Sequence, residues 1–222
     1  MDPAEGLGEE EGEPGDGDNY SSARDNLDSI RLQFEEERSL GAVRQVLKVE
    51  ACKEYGRNLL IAPIGAIEKA NSSFRVIHDG TNKVRINPKI RARDQHKCPG
   101  SGELKAVMRS SKACKSVFGL TGDVKRAHRL PRVWQAESGL QACKLSGDTV
   151  WLNEVGAFGM GPAAYHWARE ASGMGRACIY LMRNRWFYQL PYADDFKWIS
   201  SGAFAVDDIM LAVFLLCLLG FP

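Results

Sequence analysis

The sequence predicts an α+β chain in which a helical start gives way to short hairpins interleaved with helices. Three observations predict it. Helix-start signals and helically spaced apolar residues fill positions 22–51. Apolar runs of strand length recur in pairs around polar turn residues, at 58–79, 141–155 and 186–199. Helix-compatible stretches separate these pairs, and no internal repeat is visible.

The elements follow in order. Ser22-x-x-Asp25 has the form of a capping box and opens a helix through Leu27, Ile30, Leu32 and Phe34. Gly41 is expected to break it, with a second helix through Val43, Val46, Leu47 and Ala51 ending before Gly56. The run Asn58–Lys69, the polar turn Asn71-Ser72-Ser73 and Phe74–Asp79 read as a hairpin with basic residues at its turn. Residues 103–117 suit a basic helix through Leu104, Val107, Met108 and Val117. Leu120 to Val124 then reads as a short strand carrying Asp123 at its end. Gln141–Leu145 and Thr149–Val155 flank Ser146-Gly147-Asp148 as another hairpin. Residues 156–161 form a loop, Pro162 suits a first helical position, and a helix is expected from Ala163 to about Ala171. Ala177–Met182 reads as a strand. Trp186–Leu190 and Phe196–Ile199 frame Tyr192-Ala193-Asp194-Asp195, which predicts a hairpin with two carboxylates at its tip. Ile209–Phe221 is an apolar run of 13 residues, shorter than the ~20 a spanning helix wants, and is expected to be a buried helix against a sheet.

Charge is segregated along the chain. Residues 1–18 hold eight acids, five glycines and two prolines without a Lys or Arg, so residues 1–20 are expected to be a disordered acidic tail. Within 69–132 there are 16 Lys and Arg against 4 Asp and Glu, whereas the flanking stretches are acidic. Such a field attracts phosphate backbones, and its plain alternative is a soluble basic surface. Six scattered cysteines without a CxxC pair, and no apolar N-terminal segment, point to a reduced intracellular chain, in nucleus or cytoplasm. No membrane partner is expected.

Adjacent carboxylates repel, and stay ionised comfortably when a cation lies between them. Asp194-Asp195 therefore suggests a divalent metal site, although Asp-Asp also serves ordinary turns. Asp123 is the only other acid between Glu103 and Glu137, and it can complete a three-acid set.

In order, these segments resemble the motifs of reverse transcriptases, the RNA-directed DNA polymerases, of retroelement type. Gly122-Asp123-Val124-Lys125-Arg126-Ala127-His128 is similar to their first palm motif. Ala157-Phe158-Gly159-Met160-Gly161-Pro162-Ala163 is similar to the second, and Tyr192-Ala193-Asp194-Asp195 matches the third. Phe74–Asp79 resembles the fingers hairpin, and the likeness spans roughly 57–222. The resemblance implies a helical segment at 21–56, a fingers-like region at 57–117 and a partial palm at 118–222, stopping before a thumb. It implies template-directed addition of dNTPs to a primer on RNA or DNA by two-metal catalysis, weak in a chain cut short before a thumb, with Mg²⁺, or Mn²⁺ in its place. Asp123 and Asp194 would bridge the ions, Asp195 would support them, and the Val124 carbonyl would add a ligand. Arg75 and Lys69 would neutralise triphosphate charge, while Phe158 and Gly159 would lie against the nascent base pair. His128 stands where the family carries an aromatic that blocks the ribose 2′-hydroxyl; a half-buried structural histidine is the alternative. The competing functional reading is a non-catalytic, nucleic-acid-binding remnant of such a polymerase.

Overall fold

The computed structural model describes residues 18–70, 73–94, 97–111 and 116–220 of the chain. In chain order the elements begin with α1 (Ser21–Arg24), α2 (Leu27–Ser39), β1 (Val43–Leu47), α3 (Lys48–Tyr55) and β2 (Ile61–Ala62). Next come β3 (Ile64–Glu68), β4 (Phe74–His78), α4 (Ser101–Ser110), β5 (Val117–Asp123) and β6 (Ala142–Cys143). The chain continues through β7 (Thr149–Asn153), α5 (Gly161–Leu181), β8 (Phe187–Tyr192), β9 (Asp195–Ser201) and α6 (Ala205–Leu218). The chain is mixed α+β, and among the described residues all but one of the strand pairings are antiparallel.

Two compact units divide these elements, Met1–Lys89 with Val133–Met160 and Ile90–Arg132 with Gly161–Pro222. Each unit is thus built from two separate stretches, where the sequence suggested consecutive segments at 21–56, 57–117 and 118–222. Residues 1–17 of the expected acidic tail lie outside the described residues. Its last two residues belong to the first unit's fold: the Asn19 side chain donates to the Lys144 carbonyl, and the Tyr20 amide donates to the Ile64 carbonyl at 3.0 Å.

In the first unit, β1, β7, β6 and β2 form one sheet in that order, and β3 and β4 form a separate hairpin. Strand β7 alternates, as a strand buried on both faces must. Trp151 joins Phe34, Ile30, Val43, Ile64 and Val76 in one cluster, and meets the Phe34 ring edge-on at 5.3 Å. Its neighbours Val150 and Leu152 join Ala51, Tyr55, Leu59 and Ile61 in another. This sheet corrects one expectation: Val43–Leu47 is strand, with the helix beginning only at Lys48. Val43 pairs with Asn153 and Leu47 with Thr149, so the ladder offered by β7 decides the conformation of a short apolar run that periodicity leaves ambiguous.

In the second unit, β5, β9 and β8 form an antiparallel sheet with β9 central. Phe196 and Trp198 of β9 are buried with Trp167, Ala171, Met174 and Cys178 of α5 and Ile209, Ala212 and Leu216 of α6. The buried residues of α5 recur at steps of three and four through Cys178, so the helix runs to Leu181, and the strand expected at Ala177–Met182 does not form. The basic helix expected at 103–117 is shorter: α4 ends at Ser110, residues 112–115 lie outside the described residues, and Val117 opens β5. Glu103 closes the start of α4 by accepting the Gly100 amide at 2.8 Å.

Helix α6 is only half buried. Ala205, Ile209, Ala212 and Leu216 face the core, whereas Met210, Leu211, Phe214 and Leu218 are exposed. Its first turn is anchored by the buried Asp208, which pairs with Arg185 and accepts from Ser200 Oγ at 3.3 Å. No helix among the described residues is long and apolar enough to cross a membrane. Ile209→Ala should therefore cost about 2–5 kcal/mol in denaturant melts, and Phe214→Ala less than about 0.5 kcal/mol, because only the first empties core volume.

Candidate active site

Three acids converge at one end of the second unit's sheet. Asp123 is the last residue of β5 and stands directly across from Asp195, the first residue of β9. Directly opposed side chains lie on the same face with Cβ atoms ~4.5–5.5 Å apart. Phe196 and Trp198 take the helix-covered face, so Asp123 and Asp195 take the open one. Asp194 completes the set in the two-residue turn that joins Tyr192 to Asp195, and its carbonyl accepts the Val124 amide at 3.0 Å.

The turn is strained and then held. Ala193 sits at φ +53°, where a Cβ costs ~1–2 kcal/mol. Trp167 Nε1 of α5 donates to the Ala193 carbonyl at 2.8 Å, tying the tip to the helix beneath it. Trp167 thus positions the acids. In the sequence it carries only the signal of a core residue on a helical stripe, which says nothing of its indole N–H.

Electrostatics single out Asp123. Burial, then the charges of Asp194 and Asp195, hold the Asp123 carboxyl above the usual aspartate range. The donor chemistry fits a hard divalent cation, which takes all-oxygen ligands and relieves this repulsion. Among the described residues, no group of three or more His, Cys, Asp or Glu is placed so that it could hold a metal ion. Val124 is buried behind Asp123, and His128 is half-buried in the short 3₁₀ turn Ala127–Arg129.

Lys69, Arg75, Phe158 and Gly159 belong to the first unit. Lys69 is exposed beyond the end of β3, and its amide donates to the Ser73 carbonyl across the hairpin turn. Arg75, on β4, lies over the Phe158 ring at 5.2 Å. Phe158 is fixed from behind, since the His78 amide donates to its carbonyl at 2.8 Å. The glycine at 159 has a reason the sequence did not disclose. It sits at φ +90°, and a Cβ there would meet the His78 carbonyl oxygen at 2.0 Å. Asn87 Nδ2 also donates to the Gly159 carbonyl at 2.7 Å. The close approach demanding glycine is thus to the base of the β3–β4 hairpin, where a ligand had been expected.

Comparison with protein-family models finds no match, and comparison with curated proteins finds no similar sequence.

Two outcomes follow from this geometry. Asp123 titrates higher in the fold than in the unfolded chain, so its ionised form destabilises the fold at neutral pH, and that penalty fades as pH falls. Asp123→Asn should raise the thermal midpoint at pH 7, and the difference should fade through the carboxylate range and vanish below about pH 3, where the carboxyl is protonated in both states. Gly159→Ala should cost roughly 2 kcal/mol or more in chemical denaturation, because it combines positive φ with a backbone clash.

Proposed function

We propose that this chain performs nucleotidyl transfer of the reverse-transcriptase kind, adding dNTPs to a primer paired with an RNA or DNA template. The observation that carries the reading is the pairing of Asp123 with Asp195 across β5 and β9, with Asp194 in the adjoining turn. Like charges directly opposed weaken a sheet, so their placement has no account in stability. In this reading the β3–β4 hairpin belongs to the fingers, and the β5-β9-β8 sheet with α5 and α6 to a partial palm.

The residues take roles as follows. Asp123, Asp194 and the Val124 carbonyl would hold Mg²⁺, two ions in this chemistry, with Asp195 supporting the field and Mn²⁺ an acceptable substitute. Bound there, the cations stabilise charge on the attacking and leaving oxygens of an in-line displacement. Arg75 presents a planar fork already oriented by the Phe158 ring, which suits phosphate oxygens. Lys69 adds a mobile charge at the hairpin turn, and His128 presents a bulky ring near the first acid. The basic excess of 69–132 supports attraction of a template-primer duplex.

Primer extension tests the reading, using a labelled DNA primer on an RNA template with dNTPs and Mg²⁺. Incorporation is expected, and Asp194→Asn should lower it by about 100-fold or more, since metal ions supply several kcal/mol of charge stabilisation. Salt-dependent binding of the primed template without incorporation would instead establish the non-catalytic, nucleic-acid-binding reading.

A further inference from the structure

Helix α5 presents a second, outward face. Its buried stripe, Ala163, Trp167, Ala171, Met174 and Cys178, packs in the core. Tyr165, Arg169, Ser172 and Arg176 recur at the same three-and-four spacing, half a turn away, so they form one outward stripe. This stripe lines an open cleft of about 430 Å³, walled on its other side by Asp94 and Lys97. The cleft is lined mainly by polar groups and carries three cations against one acid.

We propose that this cleft binds a single-stranded stretch of nucleic acid, two or three nucleotides long, running along α5. Arg169 and Arg176 are seven residues apart, which places their Cα atoms ~10 Å apart along the helix. That separation serves successive phosphates of one strand better than a single anion. Arg176 makes no hydrogen bond or ion pair among the described residues, so its donors are free for a ligand. Arg169 is already aimed: it lies over the Tyr165 ring at 5.5 Å, bonds the Tyr165 hydroxyl at 3.3 Å, and is steadied by Asp94 at 3.3 Å. Tyr165 is half-buried beneath Arg169, and this stacked ring and guanidinium give a flat face against which a base can lie. A charged groove that tracks the backbone, paired with an aromatic face, is how single strands are held without sequence preference. The choice of nucleic acid as ligand rests on the proposed function.

Fluorescence anisotropy with a labelled single-stranded oligonucleotide, without dNTPs or divalent cations, tests this separately from catalysis. Arg176→Ala and Tyr165→Leu should each weaken binding by about tenfold, whereas Tyr165→Phe should retain most of it. Arg176→Ala should also flatten the dependence of log K on log salt by about 0.7, the share of one single-strand phosphate contact. Thermal midpoints should be unchanged for Arg176→Ala, because that side chain is exposed and makes no such bonds. Equal affinity of Arg176→Ala and the parent chain would overturn the proposal, as would full competition by an equal concentration of a mononucleotide. Strand binding that depends on Arg176, in a chain that extends no primer, would uphold this site while refuting the proposed reaction. Primer extension that is unaffected in a variant with undiminished strand affinity would do the reverse.

Discussion

Strand β9 runs between β5 and β8, and its register decides which side chains meet the helices and which meet solvent. Phe196 and Trp198 fill the space beneath α5 and α6, stacked on one another at 5.6 Å. A slip of one residue would put both aromatics in water and drive Asp195 and Lys197 into the core. Burying an unpaired carboxylate costs several kcal/mol, so the alternative register is closed. Further details hold the same register. Trp198 Nε1 donates to Gln189 Oε1 on β8, and Gly122 on β5 leaves room for the Trp198 ring, which a Cβ would approach to 2.9 Å. The positions of the acids are therefore a consequence of aromatic packing on the opposite face.

Against that well-packed face, the acid end of the sheet breaks local rules. A like-charged cross-strand pair, a non-glycine residue at positive φ, and a carboxyl held above its usual range sit within a few residues. Local conflicts of this kind concentrate where function is served. The first unit shows a related economy of parts. The Ala157–Met160 turn is bonded into the base of the β3–β4 hairpin, and the same contact orients Arg75 on Phe158. One constraint, the approach of Gly159 to the His78 carbonyl, thereby sets two of the four residues that the reading assigns to the nucleotide from this unit.

Much of this was legible in the sequence where local signals are strong. The β3–β4 and β8–β9 hairpins follow from apolar runs around polar turns, and the acid tip follows from Asp-Asp between two aromatic strands. Asp123 at a strand end followed from the short run Leu120–Val124, and its isolation in a basic stretch singled it out as a third acid. Other features lay beyond local signals. Val43–Leu47 and Ala177–Leu181 are short apolar runs whose conformation is decided by a partner: the β7 ladder for one, the helix-side core for the other. The one-sided burial of α6 was hidden because its residues are apolar on every face. The reason for glycine at 159, and the indole bond that holds Ala193, depend on residues distant in sequence.

The central claim is that Asp123, Asp194 and Asp195 act together in holding divalent cations. Mn²⁺ titration followed by electron paramagnetic resonance measures this directly, without requiring turnover or a primer. The account predicts saturable Mn²⁺ binding by the parent chain, displaced by Mg²⁺, and weakened at least about tenfold by either Asp123→Asn or Asp194→Asn in folded protein. Mn²⁺ binding that is equally strong in a variant with all three acids replaced by Asn would contradict it.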